Sequence, residues 1–288
     1  MSDQNNNKET RQGRKISIVY MVAGMSSRYG GGIKQLAEVG LNGETLIEVS
    51  LKHAISAGFN EIVFVVGEKT ESLFRTSFGD EYRGTPVIYA KQSFNPEERD
   101  RPWGTTDALV SAKHVLHNPF VVCNGDDLYG EESLRIARKY VATLDDSVEC
   151  ITIGYELGKV MPKEGKINRG IFEIDEQCNV LSLTEVLDID VKKIEERGLC
   201  STSMCSMTLF GLNPSIIYLL EKRLEAFKQD HVDDRRVECL LPVELGHLIV
   251  EKSIRMRCIR TNCKWTGITN LGDEQEVQKI LQDQHSLM

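Results

Sequence analysis

The sequence predicts an α/β fold in which helices cover a parallel sheet. Short apolar runs rich in β-branched residues, at residues 16–22 and 62–66, indicate buried strands. Between them, residues 44–57 place their apolar side chains on one helical stripe, which Gly58 ends. A strand, a loop, a helix and a second strand make a βαβ unit, and the two strands of such a unit run parallel.

The same alternation continues along the chain. In the first half we expect a helix over 70–78, a strand over 87–90, a helix over 105–117 that Thr105 or Thr106 caps, and a strand over 120–123. In the second half we expect strands from Asn168 and over 206–212, and helices over 216–227 and 239–250. An edge strand over 254–259 and a last helix that Asp273 opens complete the predicted elements. The start of the helix at 105, with Gly104 before it, suits contact with a ligand edge or an anion; the alternative is a capped helix and nothing more. Residues 1–14 are expected to form a disordered tail, and residues 15–288 one domain.

The composition argues against several classes of function. A net charge of −8 disfavours a nucleic-acid binder that relies on a basic surface. No apolar run approaches the roughly 20 residues that a membrane-spanning helix needs. The eight cysteines include no C-x-x-C pair, and several lie in apolar runs, as reduced thiols of cytoplasmic proteins do. We therefore expect a cytoplasmic protein whose partners include neither nucleic acid nor membrane.

A glycine-rich loop follows the first strand and carries Arg28, with Lys34 just beyond it. Glycines let backbone amides approach a ligand closely, so the loop suits a polyphosphate whose charge Arg28 and Lys34 offset. Gln35 excludes a P-loop, which needs Ser or Thr after its lysine, and the glycine spacing does not fit a dinucleotide fingerprint. The alternative is an ordinary strand-to-helix turn with solvated charges.

An acidic pair follows the predicted strand at 120–123. Asp126 and Asp127 stand where the ligand crevice of an open α/β sheet lies, beyond the carboxyl ends of the strands. Magnesium prefers oxygen ligands and often binds through one or two carboxylates together with substrate phosphates. We predict Mg²⁺ at this position; the alternative is a turn built from Asp and Gly.

Three motifs, in order, resemble those of the sugar-nucleotide pyrophosphorylases, the nucleotidyltransferase superfamily that includes glucose-1-phosphate uridylyl- and thymidylyltransferases. The string AGMSSR followed by IKQL is similar to the signature loop, Gly104-Thr105 with Ala108 to the segment that contacts the nucleobase, and Asn124-Gly125-Asp126 to the metal-binding strand end. The resemblance implies a Rossmann-like, mixed and mostly parallel sheet flanked by helices, of the nucleotide-diphospho-sugar transferase type and without a β-helix domain. It also implies a nucleotide-binding half at 15–130 and an acceptor-binding half at 131–288.

The resemblance also implies site residues. Arg28 would hold the β- and γ-phosphates of the leaving group, and Lys34 would lie by the α-phosphate. The implied nucleotide contacts are Ala23, Gly24, Met25, Ser26, Ser27, Gln35, Gly104, Thr105, Asn124 and Gly125; the acceptor contacts are Gly170, Glu185 and Thr208; and the metal ligands are Asp126, Asp127 and Asp273, the last of which is otherwise a helix cap.

The chain departs from the family pattern at two places. Val186 and Leu187 replace the lysine and proline that usually follow the equivalent of Glu185, and Gly267 replaces the aspartate that is the family's second magnesium ligand. The expected function is transfer of NMP from an NTP to a sugar 1-phosphate, with Mg²⁺ as cofactor and UTP, CTP or dTTP as the favoured donor. The family resemblance leaves homo-oligomerisation open.

Three alternatives differ in the acceptor or in the class of protein. A phosphocholine cytidylyltransferase needs an aromatic cage for a quaternary ammonium group, with Trp103, Tyr129 and Trp265 as candidates. A catalytically impaired sensor of nucleotide sugars fits the loss of the aspartate at Gly267. A glycosyltransferase that uses nucleotide sugars is disfavoured because the chain has no D-x-D motif at Asp126.

Overall fold

The computed structural model describes residues 14–24, 32–144, 148–162, 164–268 and 272–285. The strands are β1 (Ser17–Met21), β2 (Glu61–Val66), β3 (Glu81–Tyr82), β4 (Thr85–Lys91), β5 (Phe120–Asn124), β6 (Asp127–Leu128), β7 (Glu149–Glu156), β8 (Lys166–Ile174), β9 (Val180–Asp190), β10 (Met204–Leu212), β11 (Arg255–Arg260) and β12 (Thr266–Gly267). The helices are α1 (Leu46–Ser56), α2 (Glu68–Phe78), α3 (Thr105–Ser111), α4 (Glu131–Val141), α5 (Leu157–Val160), α6 (Ser215–Asp230), α7 (Leu241–Val250) and α8 (Asp273–His285), with 3₁₀ helices at Lys34–Leu36 and Ile194–Arg197.

The central sheet is mixed and mostly parallel, as predicted. Its strand order is β11-β7-β10-β5-β1-β2-β4-β3. β1 pairs in parallel with β2 and β5, β2 with β4, and β7 with β11. β10 runs antiparallel to β5 and β7. The antiparallel β8–β9 hairpin joins the sheet through β8, which also pairs antiparallel with β10. The predicted edge strand is confirmed, because β11 ends the sheet.

The core lies on both faces of this sheet. Along β1, Ile18 and Tyr20 belong to one apolar cluster, whereas Val19 and Met21 belong to the other. Side chains on a strand point alternately to opposite faces, so an uninterrupted apolar run is what a strand covered on both sides requires. β1 therefore lies at the centre of the molecule, and its carboxyl end opens onto the neighbouring strand ends.

Most predicted elements are confirmed, with two corrected boundaries and one corrected cap. α3 ends at Ser111 rather than near 117, because its last turn tightens into 3₁₀-type bonds from Ala112 N–H to Leu109 and from Lys113 N–H to Val110. The cap of α3 is Gly104 and not a threonine side chain. α7 begins at Leu241 and not at 239, because Cys239 donates its N–H to the Trp103 carbonyl and the N-cap Leu240 is extended.

The eight cysteines are all free thiols. Cys123, Cys150, Cys205, Cys239 and Cys258 are buried. Among the described residues, no helix combines the length and the apolar character needed to cross a membrane.

Candidate active site

The carboxyl ends of β1, β2 and β5 meet at one edge of the sheet. Gly125, just after β5, donates its N–H to the Met21 carbonyl at 3.2 Å. Gly67, just after β2, packs so closely on Ala23 that a Cβ at Gly67 would lie 2.7 Å from the Ala23 carbonyl oxygen. Ala23 and Gly24 therefore leave the sheet between two glycine-bearing strand ends. This is the crevice in which open α/β sheets bind ligands.

The central part of the predicted phosphate loop lies outside the described residues. It includes Met25, Ser26, Ser27 and Arg28. Their assigned roles remain predictions, and the described part of the loop resumes at Gly32.

Lys34 and Asp126 form an ion pair at this edge of the sheet. The Lys34 side chain is 19% exposed and that of Asp126 is 21% exposed, so water screens the pair only in part. Lys34 lies in the first 3₁₀ helix, and Asp126 follows β5. The fold thus brings together a cation and a carboxylate that are far apart in sequence, as the prediction of one shared site requires.

Gln35 packs against the strand end that carries Gly125 and Asp126. Gln35 is 3% exposed, and its Oε1 is buried without a hydrogen-bond partner in the described residues. Its Cγ lies 3.4 Å from where a Cβ on Gly125 would stand. Only a glycine fits between Gln35 and the core side chain of Val22, and this close packing places the Gln35 amide beside the strand end that carries Asp126.

Asp127 is buried, whereas the side chain of Asp126 is partly exposed. Its Oδ2 accepts a hydrogen bond from Asn124 Nδ2 at 2.9 Å and lies 3.2 Å from the Tyr129 hydroxyl. Burial, together with the adjacent charge of Asp126, raises the pKa of Asp127 to about 7. The two carboxylates therefore have different partners: Asp126 forms an ion pair with Lys34, whereas Asp127 is buried and lies within hydrogen-bond distance of Asn124 and Tyr129.

Gly267 stands directly opposite Asp127. β12 pairs with β6 in the register Gly267 to Asp127, and Ile268 N–H donates to the Asp126 carbonyl at 3.1 Å. A Cβ at position 267 would collide with Asp127 Oδ1. The segment around Gly267 therefore reaches the acidic strand end, but Gly267 itself brings no side chain there.

The donor set at this point fits a hard divalent cation. Asp126 and Asp127 are consecutive residues with carboxylate oxygens, and magnesium commonly uses one or two carboxylates and completes its shell with water and phosphate. Among the described residues, no group of three or more His, Cys, Asp or Glu side chains is arranged to hold a metal. Asp273, at the start of α8, therefore does not complete a three-carboxylate site with Asp126 and Asp127.

The Gly104–Thr105 segment lies beyond the end of β4, at the same edge of the sheet. Gln92, which follows β4, donates from Nε2 to the Gly104 carbonyl at 3.0 Å. The Thr105 hydroxyl accepts a hydrogen bond from Leu241 N–H at 2.8 Å, so it caps α7 rather than its own helix. Gly104 has φ of 99° and packs against Cys239. The segment is thus a rigid platform beside the crevice.

The predicted acceptor residues lie on the β8–β9–β10 side. Gly170 pairs with Ser206 on one side and with Glu185 on the other. Burial raises the pKa of Glu185, and the positive charge of Arg169 partly offsets that rise. Thr208 adopts φ of 61° at a register shift in β10, an uncommon and strained conformation for a β-branched residue. Such strain is often found at binding sites.

Tyr129 links the two sides, and the sequence patterns did not single it out for this role. It is 1% exposed, and its hydroxyl accepts a hydrogen bond from Asn124 N–H at 3.1 Å. The same hydroxyl lies 2.9 Å from the Met207 carbonyl and 3.3 Å from that of Thr208. The strand end that carries Asn124 and the bulge of β10 are therefore tied to one buried phenol. The only signal in the sequence is that Tyr129 follows the acidic pair at a spacing of two.

Comparisons with known proteins identify the family and the fold. A sequence model of the family described as Nucleotidyl transferase matches residues 32–234. The fold is similar to that of the inositol-1-phosphate CTP transferase from T. maritima, with a TM-score of 0.64 at 14% identity over 94% of this chain and 97% of that one. A search of curated protein sequences gives no match.

Two further solved structures share the fold. UDP-glucose pyrophosphorylase in complex with UDP-glucose has a TM-score of 0.65 at 14% identity, covering 94% of this chain and 99% of that one. CTP:phosphocholine cytidylyltransferase from Streptococcus pneumoniae has a TM-score of 0.58 at 13% identity, covering 93% and 99%. Because the family match spans more than half of the sequence and the sheet edge carries the paired Lys34 and Asp126, the chain belongs to the Nucleotidyl transferase family.

Proposed function

We propose that the protein transfers a nucleoside monophosphate from an NTP to a sugar 1-phosphate and releases pyrophosphate. A phosphate oxygen of the acceptor forms a bond to the α-phosphorus, while the bond from that phosphorus to the oxygen bridging to the β-phosphate breaks. The leaving pyrophosphate keeps the electron pair. The acceptor phosphate is already anionic, so the reaction needs positioning and charge neutralisation rather than a general base.

The ion pair between Lys34 and Asp126 is the observation that carries this proposal. A lysine held at the carboxyl ends of β1 and β5 can stabilise the negative charge that develops on the α-phosphate during transfer. Asp126 keeps the ammonium group in place before the nucleotide binds. Arg28 is assigned to the β- and γ-phosphates as a prediction from the sequence.

Asp126 and Asp127 would hold the magnesium ion. When bound, the ion supplies charge neutralisation and a template for the phosphates of the two substrates. Asn124 and Tyr129 orient the Asp127 carboxylate through its Oδ2. These two contacts keep Asp127 fixed beside Asp126.

The aromatic residues support a sugar phosphate over phosphocholine as the acceptor. The Arg99 guanidinium lies 3.6 Å from the centre of the Trp103 ring and covers that face. Tyr129 is buried, and the Arg169 guanidinium lies 5.5 Å from the centre of the Trp265 ring. A quaternary ammonium group needs open aromatic faces and would be repelled by these arginines. The three residues therefore do not form a choline cage.

A sensor that binds nucleotide sugars without turnover is the second candidate, and Gly267 favours it. A protein that no longer performs transfer has no need for a metal ligand at that position. Lys34 and Asp126, which form an ion pair at the end of β5, argue against a sensor, since a sensor has less need of groups that act on the transferred phosphate.

A pyrophosphate-release panel separates the two candidates. The four NTPs and dTTP are crossed with glucose 1-phosphate, other sugar 1-phosphates and phosphocholine, with Mg²⁺ or with EDTA. Transferase activity predicts magnesium-dependent release with at least one sugar 1-phosphate and none with phosphocholine. A sensor predicts no release with any pair, together with binding of an NDP-sugar in calorimetry.

A further inference from the structure

Two loops meet beside the Gly104–Thr105 segment. One is the loop 92–104, which joins β4 to α3, and the other is the connection 231–240, which joins α6 to α7. The loop 92–104 contains no helix or strand. Loops longer than about 12 residues without regular structure are uncommon in compact domains and are often functional. We call the contact between the loop 92–104 and the connection 231–240 the clasp.

Arg99 reaches from the loop 92–104 to the connection 231–240. Its side chain is buried, with the residue 3% exposed. Its Nη2 donates to the Val237 carbonyl at 2.5 Å, and its Nη1 donates to the Asp234 carbonyl. Its Nε donates to the Arg101 carbonyl of its own loop at 3.3 Å. Because a buried cation is costly unless its donors are satisfied, these bonds strongly favour one arrangement of the two loops.

Arg235 makes the reverse connection. Its Nη1 donates to the Glu97 carbonyl at 2.5 Å, and its Nη2 donates to the Pro96 carbonyl at 3.0 Å. Its Nε donates to Oδ1 of Asp100 at 2.9 Å, and the Asp100 N–H donates to the Arg235 carbonyl at 3.0 Å. Each loop therefore supplies an arginine that binds main-chain carbonyls of the other.

The clasp continues to Gly104 through Trp103 and Cys239. The Arg99 guanidinium lies 3.6 Å from the centre of the Trp103 ring. The Trp103 carbonyl accepts a hydrogen bond from Cys239 N–H at 2.7 Å, and the Cys239 carbonyl accepts one from Thr106 N–H at 3.0 Å. Gly104 lies between these two bonds, and its packing against Cys239 leaves no room for a Cβ. The position of Gly104 therefore depends on the connection 231–240.

A second set of contacts holds Gly104 from the side of α6. Lys228, in the last turn of α6, donates from Nζ to Asp107 Oδ1 at 2.7 Å. Gln92 Nε2 lies 2.8 Å from Asp107 Oδ2 and 3.0 Å from the Gly104 carbonyl, and it donates to both. A segment that is fixed before the ligand arrives pays less of the entropic cost of ordering when the ligand binds.

We propose that Arg99 is a positioning residue for the nucleobase of the NTP, because it holds the Gly104–Thr105 segment in place through Trp103 and Cys239. This inference rests on the proposed function for the identity of the ligand, and on the clasp for the role of Arg99. Loss of the Arg99 guanidinium should weaken recognition of the base. It should leave recognition of the triphosphate unchanged, since Lys34 lies at the carboxyl ends of β1 and β5.

Nucleotide binding to the full-length chain tests this role without reference to turnover. Calorimetry with Mg²⁺ measures the affinity for UTP, CTP, dTTP, ATP and GTP, and for inorganic tripolyphosphate, which has the phosphate chain without a nucleoside. One charged hydrogen bond corresponds to about 10- to 100-fold in an equilibrium constant, and Arg99 acts indirectly. In Arg99→Met the affinity for the tightest-binding NTP should therefore fall about 5- to 30-fold. The ratio between the best and worst base should shrink, and the affinity for tripolyphosphate should stay within about twofold.

Three further variants sharpen the comparison. Arg235→Met removes the reverse connection and should reproduce the effect of Arg99→Met. Arg99→Lys keeps a positive charge but loses the planar fork that binds two carbonyls, so its effect should be intermediate. Arg138→Met is the matched control, because Arg138 Nε donates to the Gly58 carbonyl at 3.1 Å between α4 and the end of α1. It should leave the affinity for every NTP unchanged.

Steady-state kinetics give a second measurement if the wild type releases pyrophosphate. KM for the NTP should rise in Arg99→Met by about the same factor as the dissociation constant, whereas KM for the acceptor should stay within about twofold. A purely structural role would lower the active fraction, and with it the apparent kcat, without a selective change in KM for the NTP. Thermal unfolding checks that each variant is folded.

The outcomes distinguish the role of Arg99 from the reaction. Unchanged affinity for every NTP in Arg99→Met and Arg235→Met would overturn that role, and so would an equal loss of affinity for NTP and tripolyphosphate. NTP binding that depends on Arg99, in a protein that releases no pyrophosphate, would support the role and reject the transferase proposal. A wild type that binds no NTP would reject both. Should Arg99→Met not fold, Arg235→Met and Arg99→Lys decide the result.

Discussion

The carboxylate of Asp127 fills the space that a side chain at Gly267 would need. The two residues are paired across β6 and β12, and a Cβ at 267 would collide with Asp127 Oδ1. The strand end at Asp126 therefore has a neighbouring carboxylate from its own segment, while the segment that approaches from the C-terminal side has none.

Restoring an aspartate at this position should destabilise the protein. Gly267→Asp forces extra atoms into a packed contact, and overpacking of this kind costs about 1–3 kcal/mol. It also sets a second negative charge against Asp127. The free energy of unfolding from urea titrations should fall for Gly267→Asp and recover in part in Asp127→Asn/Gly267→Asp, which removes the like-charge repulsion.

Gly267→Ala is the control for this experiment, because it adds the steric overlap without a charge. Adding the Asp127→Asn change should restore more of the lost free energy of unfolding in Gly267→Asp than in Gly267→Ala. Equal stability of wild type and Gly267→Asp would show that the side chain at 267 points elsewhere.

Loss of the Lys34 ammonium should impair turnover with the fold intact. Lys34→Ala removes one preorganised electrostatic contact to the transferred phosphate, which by analogy costs about 10²–10³ in turnover. The pair with Asp126 is partly exposed, so its direct contribution to stability is small. Pyrophosphate release and thermal unfolding are measured in parallel with Lys69→Ala, an exposed lysine of α2. Near-normal release in Lys34→Ala would refute the assigned role.

The stability of the wild type should depend on pH through Asp127. Burial, and then the charge of Asp126, raise the pKa of this carboxyl to about 7 in the folded state, whereas an aspartate in an unfolded chain titrates at about 3.9. The folded state therefore retains a proton that the unfolded chain releases. The resulting stabilisation is complete below about pH 4 and is lost as the pH rises through about 7.

The Asp127→Asn variant has no proton to release at this position. Its stability should therefore not fall in this way as the pH rises. Urea titrations at pH 5, 6, 7 and 8 in EDTA should show wild type losing stability relative to Asp127→Asn as the pH rises. Asp233→Asn, at an exposed position, should run parallel to wild type. Curves for Asp127→Asn and wild type that remain parallel would contradict a raised pKa.

Gly104 should tolerate a side chain much less well than Gly43. Both have positive φ, 99° at Gly104 and 81° at Gly43, so alanine at either position incurs backbone strain of roughly 1–3 kcal/mol. At Gly43 nothing lies within 4 Å of a new Cβ, whereas at Gly104 the backbone oxygen of Cys239 is 2.7 Å away and its nitrogen 2.9 Å away. The overlap adds about 1–3 kcal/mol. Urea titrations should therefore show a larger loss for Gly104→Ala, and equal losses would rule out the close packing.

Much of the fold could be predicted from local pattern. The strand at β1, the helix at α1 and the parallel pairing of β1 with β2 follow from the spacing of apolar residues, because burial on one face or on two leaves a direct trace in the sequence. The end of α3 at Ser111 and the start of α7 at Leu241 left no such trace. The end of α3 is set by 3₁₀ bonds within its own last turn, and the start of α7 depends on the bond from Cys239 N–H to the Trp103 carbonyl, which is far away in the sequence.

The sequence by itself determined the class of fold, the position of the glycine-rich loop and the acidic strand end at Asp126, since each is a contiguous pattern with its own physical cause. Only the tertiary structure decided that Thr105 caps α7, that Asp127 occupies the space beside Gly267, and that Arg169 meets Trp265. These contacts join residues separated by long stretches of chain. Side-chain distances of that kind are set by how β6, β8 and β12 pack together, which no local spacing encodes.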